Sequence, residues 1–136
     1  RQTADAIAGA ADVRVAEALD EIDFGDWTGA AFVELEGDPV WEQWNRERSV
    51  ATVPRGETMS EAQERAWRFL EEAARRHSGE RIALVTHCDI IRAVVARVLG
   101  LSLDGILSFD ADPASVTRLA VGDWGARVVS LNERAA

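Results

Sequence analysis

The feature that most constrains the fold is an apolar run at residues 82–85, which leads directly into an amphipathic helix. Four consecutive apolar residues without alternation are typical of a strand that is buried on both faces. The run ends in Thr86-His87-Cys88, and apolar residues then recur every three or four positions as far as Gly100, which is suited to end a helix. Together with a hairpin predicted near the end of the chain, this strand and helix favour a layered α/β fold with a mixed sheet.

Shorter signals divide the rest of the chain into elements that fit one domain, residues 1–136. Thr58 and Glu61 have the spacing of a capping box, which predicts the start of a long helix. Residues 122–125 form a turn signal between two alternating segments, 115–121 and 126–131, and predict the hairpin. The other expectations are a helix over 1–10 ending near Gly9, a strand over 13–18, one or two short helices within 30–48, and a helical turn over 104–109.

The charge of the chain excludes two classes of partner. Twenty-four acidic and fifteen basic residues leave a formal net charge of −9. This excess of negative charge argues against broad nucleic-acid binding and against electrostatic docking on anionic membranes. A small anionic substrate is compatible with it, because a few arginines in a pocket outweigh distant surface charge.

The cysteine and histidine content narrows the chemistry further. Cys88 is the single cysteine, so no intrachain disulfide forms and a cytoplasmic location fits. His77 and His87 have no metal-ligand spacing with the acidic residues, and we predict neither a metal nor another cofactor. No apolar run approaches the roughly 18 residues that a membrane span needs.

His87 is the most informative candidate for a functional side chain. It follows a predicted buried strand and precedes a helix, and ligands of open α/β sheets bind at this edge. The first backbone N–H groups of the helix, beginning at Cys88, would be free to bind an anion, and a histidine there can contact a phosphoryl oxygen as a cation. We expect Asp89 to point away from such an anion. The alternative is a histidine that only caps the strand or bonds a neighbouring carbonyl.

Glu21 is the second candidate. A carboxyl group near a phosphate pocket can stay protonated and act as a general acid toward a leaving oxygen. We expect repulsion from Asp20 and Asp23 to raise the pKa of Glu21. The alternative is a solvated carboxylate in a loop.

Cys88 and the tryptophans are weaker candidates. The helix start could lower the pKa of the Cys88 thiol, but no second base is apparent, and an inert small residue is the favoured interpretation. Tryptophans such as Trp27, Trp41 and Trp44 are expected in the core or in a pocket wall.

Several segments, in order, together resemble the histidine phosphatase superfamily, also called the phosphoglycerate mutase-like fold. The matching segments are Arg1-Gln2-Thr3-Ala4, Leu19-Asp20-Glu21 with Phe24-Gly25-Asp26-Trp27-Thr28-Gly29, Pro54-Arg55-Gly56-Glu57-Thr58, Leu84-Val85-Thr86-His87 with Ile91-Arg92, and Ser115-Val116.

The resemblance implies a three-layer αβα fold with a mixed, mostly parallel sheet. It also implies phosphoryl transfer from a small phosphate ester to a histidine, followed by hydrolysis. By position, Glu21 matches the general acid and His87 the second, phosphate-holding histidine. The backbone after His87 would add donors, with Cys88 where a glycine is common. Trp27, Trp41 and Trp44 lie on the segment that resembles the family's substrate-lining insertion, and we expect them to favour apolar or aromatic esters.

The chain departs from the family pattern at its start. The Arg-His-Gly motif that carries the family's nucleophile is absent, and Arg1-Gln2-Thr3-Ala4 reads like the interior of a helix. We therefore expect a domain truncated at its amino terminus, without its first strand and its nucleophilic histidine. A fragment that needs a partner to complete its sheet is the other explanation.

Two further functions stay open beside a phosphatase: a phosphoglycerate mutase-type phosphoryl transferase and an inactive phosphate-binding or interaction module. The expected partners are a small phosphorylated substrate or inorganic phosphate. The oligomeric state is open, with a homodimer as one alternative.

Overall fold

A computed structural model describes residues 1–134, and the last two residues of the predicted domain lie outside this range. The elements in chain order are α1 (Gln2–Ala8), α2 (Phe32–Leu35), α3 (Pro39–Arg46), α4 (Met59–Arg76), α5 (Cys88–Leu99), β1 (Val116–Gly122) and β2 (Gly125–Glu133). Short 3-10 segments cover Glu17–Leu19, Gly25–Trp27 and Leu103–Ser108.

The two long helices begin and end where local signals predict. The Thr58 hydroxyl accepts a hydrogen bond from the Glu61 N–H at 3.2 Å, and the Glu61 carboxylate accepts one from the Thr58 N–H at 2.8 Å, which confirms the capping box of α4. Gly100 ends α5 with a φ of 68°, a left-handed conformation that glycine adopts at little cost.

The core lies where α4 packs against α5 and β1, while α5 also contacts β2 and the 3-10 segment Leu103–Ser108. Small residues from both helices are buried in this core beside larger apolar side chains. Buried members of this core include Trp27, Trp44, Met59, Ala62, Ala66, Ile90, Ala93, Val94 and Ile106.

The predicted hairpin is confirmed. Strands β1 and β2 pair antiparallel, with Gly122 opposite Gly125 at a two-residue turn. Within residues 1–134, this two-stranded pair is the sheet that backbone hydrogen bonds form.

The predicted strands at 82–85 and 13–18 do not form paired strands among the described residues. Residues 81–87 have no regular secondary structure, and Ile82 and Leu84 are 44% and 37% exposed instead of buried. The reason is that a strand needs a neighbour to bond its N–H and C=O groups, and no segment of residues 1–134 supplies that ladder. The described residues therefore do not confirm the three-layer, mostly parallel arrangement.

Two loops meet in a close backbone contact beside the start of α4. Gly25 has a φ of +45°, and a Cβ there would lie 2.2 Å from the Pro54 carbonyl oxygen. A Cβ on Gly56 would lie 2.3 Å from the Asp23 carbonyl oxygen. Glycine at both positions lets the loop that follows Glu21 rest directly on the loop that precedes α4.

Candidate active site

His87 lies at the amino-terminal end of α5, as the sequence predicts. Its backbone is extended, with φ −111° and ψ 162°, and its side chain is exposed. The first hydrogen bond of the helix runs from the Ile91 N–H to the His87 carbonyl at 3.0 Å. The N–H groups of residues 88–90 therefore have no carbonyl partner within the helix and are oriented toward the same end as His87.

Glu21 lies in a loop whose backbone is hydrogen-bonded by Arg65 of α4. The Arg65 guanidinium donates to the Ala18 carbonyl at 2.9 Å and to the Glu21 carbonyl at 3.2 Å. Glu57 orients Arg65 by accepting two hydrogen bonds, at 2.7 and 2.9 Å. This arrangement positions the backbone of Glu21 and leaves its side chain half-buried.

The structure brings Glu21 and His87 to neighbouring positions. The Thr86 hydroxyl donates to the Leu19 carbonyl at 2.6 Å, so the residue before His87 is bonded to the loop that carries Glu21. The charge of His87 acts on the Glu21 carboxyl and lowers its pKa. The two candidates predicted from separate segments thus belong to one region of the surface.

The pKa of Glu21 is nevertheless raised overall above its ordinary value. Burial is the largest cause, and the negative charge of Asp89 adds to it. The Ile22 N–H, which donates to the Glu21 carboxylate at 3.1 Å, works in the opposite direction, as do His87 and Arg65. The direction expected from the sequence is correct, but the cause assigned to it is wrong, because Asp20 and Asp23 are not the groups that raise this pKa.

Asp89 is buried in an ion pair that sequence reasoning missed. Arg48 Nη1 donates to Asp89 Oδ2 at 2.9 Å, and Arg92 Nη1 lies 3.5 Å from Asp89 Oδ1. Asp89 is thus turned toward two guanidinium groups, while its charge still reaches Glu21. No local pattern could have indicated this pair, because 41 residues separate Arg48 from Asp89.

Cys88 is exposed, and the pKa of its thiol is raised above the ordinary value. Desolvation of the sulfur is the main cause that raises the pKa of this thiol, and the charges of Asp89 and Glu21 add to it. This direction is opposite to the lowering that a helix start can produce. It supports the interpretation of Cys88 as an inert side chain.

The three tryptophans have different environments. Trp44 is fully buried and Trp27 nearly so. Their rings are in edge-to-face contact, with ring centroids 6.1 Å apart. Trp41 is half-buried. Its ring packs edge-on against Trp27, with ring centroids 5.1 Å apart, and stacks with the exposed Phe32, with ring centroids 5.9 Å apart. Of the predicted substrate wall, only Trp41 therefore offers appreciable ring surface, because Trp27 and Trp44 are committed to the core.

Glu21 also lines a shallow acidic depression beside the start of α4. Arg65 supplies its positive charge, and carboxylates dominate the rest. Its lining includes Glu17, Asp20, Glu21, Asp23, Glu57 and Glu61. A phosphoryl group would be repelled there, and the α5 side of Glu21, with His87 and the free N–H groups, is the more favourable position for an anion.

Residues 1–134 contain neither a cluster of side chains suited to bind a metal ion nor a helix suited to cross a membrane. Within that range, no three His, Cys, Asp or Glu side chains converge in the way that a metal ion needs. None of the helices described there combines the length and apolar character required to cross a membrane.

Taken together, these elements define an α/β protein with a histidine at a helix start beside a carboxylic acid. The sequence matches the profile of the Histidine phosphatase superfamily (branch 1) over residues 1–134, and the chain belongs to that family. The resemblance inferred from the motifs is confirmed.

Individual relatives share the match at moderate identity. The chain is 30% identical over 114 residues to phosphoserine phosphatase 1 of Hydrogenobacter thermophilus, covering 82% of this chain and 54% of that protein. The structure of Bacillus stearothermophilus YhfR superimposes with a TM-score of 0.90 at 26% identity, covering 99% of this chain and 69% of that one. A mutant phosphoserine phosphatase from Entamoeba histolytica in complex with phosphoserine gives a TM-score of 0.85 at 22% identity, covering 96% and 66%, which shows the fold alone. The chain spans between 54% and 59% of the length of the curated relatives it matches.

Proposed function

We propose that the protein is a metal-independent phosphatase that hydrolyses a small phosphate monoester through a phosphohistidine intermediate. The observation that carries this proposal is the junction between the two candidate residues, in which the Thr86 hydroxyl bonds the Leu19 carbonyl at 2.6 Å. Membership of the histidine phosphatase superfamily supports the reaction class, as does the name of the relative that is 30% identical.

In the proposed reaction, Glu21 is the general acid and His87 binds the phosphoryl oxygens. A nucleophilic imidazole nitrogen bonds to phosphorus as the ester P–O bond breaks, and Glu21 gives its proton to the leaving oxygen. Water then attacks phosphorus, the P–N bond breaks, and the Glu21 carboxylate takes a proton from that water. His87 and the N–H groups that begin at Cys88 stabilise the charge that develops on the phosphoryl oxygens.

The proposal assigns the nucleophile to an Arg-His-Gly segment outside the 136 residues. His87 has the phosphate-holding role, and the other histidine, His77, lies at the carboxyl end of α4 with Nδ1 3.2 Å from Glu80. A segment of this kind would also supply a strand. The proposal therefore includes the three-layer fold with a mixed, mostly parallel sheet, in which the unpaired residues 82–85 would be a neighbouring strand.

The proposed substrate class is small phosphate monoesters. The relatives named phosphoserine phosphatase favour a compact amino-acid ester. A preference for apolar or aromatic esters stays a prediction that depends on Trp41 and its stacking partner Phe32. A cytoplasmic location and a homodimer also stay predictions.

The test is hydrolysis of an aryl phosphate and of phosphoserine by the full-length protein in the presence of a chelator. We expect activity to persist in chelator and to fall by about 10²–10⁴-fold in Glu21→Gln, because the leaving oxygen loses its proton donor. His87→Ala should lower the activity by a comparable factor, and His77→Ala is the matched control that should retain it.

Three results would change the proposal. Full activity in Glu21→Gln would remove the general acid from the mechanism. An inactive wild-type protein that still binds phosphate would indicate the non-catalytic module. Transfer of the phosphoryl group to an added hydroxy acid in preference to water would indicate the mutase-type transferase.

A further inference from the structure

Arg48 and Asp89 form a buried ion pair that the proposed reaction does not use. Their side chains are 9% and 11% exposed, and the Nη1–Oδ2 distance is 2.9 Å. Arg92 places a second guanidinium 3.5 Å from the same carboxylate. Removing one partner of such a pair leaves an uncompensated buried charge, whereas removing both does not.

The pair connects two parts of the candidate site. Asp89 lies in the first turn of α5, two residues after His87. Arg48 lies two residues after the end of α3, and its guanidinium is 5.3 Å from the ring centroid of Trp44. The segment with the tryptophans and the turn that follows His87 are therefore joined through one buried contact.

The charge of Asp89 is unfavourable for a site that binds an anion. It adds to the burial that raises the pKa of Glu21, and it also raises the pKa of Cys88. A phosphoryl group at the start of α5 would meet the same negative charge. The charged groups that face Asp89 and Glu21 are Arg48 after α3, Arg65 of α4, His87 at the start of α5 and Arg92 within it.

We propose that Arg48 is a positioning residue of the candidate active site, which neutralises Asp89 so that the first turn of α5 can accept an anion. The inference rests on the proposed function, because the anion concerned is the phosphoryl group of the substrate. It separates two roles that a buried ion pair can have, compensation of charge and mechanical support.

The first test is the affinity of the protein for inorganic phosphate, measured by calorimetry. We expect Arg48→Met to weaken binding by about tenfold, because the Asp89 charge is then less compensated. Asp89→Asn should bind phosphate at least as tightly as the wild type. The double variant Arg48→Met/Asp89→Asn should recover affinity to within roughly threefold of the wild type, since neither buried charge is left alone.

Arg97→Met is the matched control. Arg97 has a similar pair of contacts, since it bonds Glu64 at 2.6 Å and its guanidinium lies 4.9 Å from the Trp67 ring centroid. It is near the far end of α5, and its loss should leave the phosphate affinity unchanged. Unchanged phosphate affinity in Arg48→Met would overturn the inference. It would also be overturned if Asp89→Asn bound phosphate as weakly as Arg48→Met, because the ion pair would then give mechanical support only.

The second test needs no phosphate and separates this inference from the proposed function. The pKa of Glu21 is followed by carboxyl carbon NMR in folded variants checked by circular dichroism. Arg48→Met should raise it and Asp89→Asn should lower it, while Arg48→Lys, which keeps the charge, should leave it near the wild-type value. If the wild type binds no phosphate, the proposed function fails; if the Glu21 pKa does not respond to Arg48→Met, the compensation of Asp89 fails on its own.

Discussion

Glu21 shows how the fold sets the charge of one side chain. Burial raises its pKa above the ordinary value of 4.5, and the Ile22 N–H offsets part of that effect. The folded protein therefore binds this proton more tightly than the unfolded chain does. Between the unfolded and folded pKa values, stability falls as the pH rises, and the cost is complete above the folded pKa.

The Glu21→Gln variant should accordingly gain stability relative to the wild type at high pH. We expect the difference in free energy of unfolding, variant minus wild type, to be more positive at pH 7 than at pH 4, because glutamine never ionises. Urea unfolding at both pH values measures it. Glu36→Gln, at an exposed position, is the control, and an equal difference for Glu21→Gln at both pH values would contradict the assigned burial effect.

For single residues, the sequence indicates which side chains are candidates for the site, but it does not indicate which groups surround them. His87 and Glu21 could be chosen from their chain context, because motif and position are local properties. Asp89 and Arg48 could not be paired, because their contact depends on how distant segments pack. The predicted repulsion from Asp20 and Asp23 failed for the same reason: adjacency in the chain does not determine which charge faces a carboxyl group.

Among the elements, α4 depends most visibly on one local device. The Thr58 side chain and the Glu61 side chain satisfy backbone donors at its first turn. Thr58→Ala should lower the free energy of unfolding by about 0.5–2 kcal/mol, because the Glu61 N–H loses its acceptor. Urea unfolding of Thr58→Ala beside Ser60→Ala checks this, since Ser60 is exposed in the same turn and its loss should cost less than about 0.5 kcal/mol. Equal effects of the two substitutions would show that the cap contributes nothing.

Helices and the hairpin could be predicted because their signals lie within the element. The cap at Thr58, the left-handed Gly100 and the turn at 122–125 all specify structure over a few residues. The run at 82–85 has the composition of a buried strand, but pairing requires a neighbour that composition does not identify. This is why the expected strand is unpaired and partly exposed among the described residues.

For the whole molecule, the contrast between this segment and α5 can be measured. In a chain limited to residues 1–136, we expect the amides of 82–85 to exchange with solvent at least on the order of 100-fold faster than those of Val94 and Ala96, because the latter are hydrogen-bonded within a buried helix. Hydrogen exchange followed by NMR gives both rates in one sample. Similar protection of the two segments would show that 82–85 is paired, as the proposed mixed sheet requires in a longer protein.

The close approach of Gly25 and Gly56 has a practical consequence for anyone who wishes to redirect this scaffold toward new esters. Randomising these two codons would yield mostly misfolded clones, since any side chain would collide with a carbonyl oxygen of the opposite loop. Phe32 and Val33 are exposed, and substitutions at these two positions should carry little risk to folding.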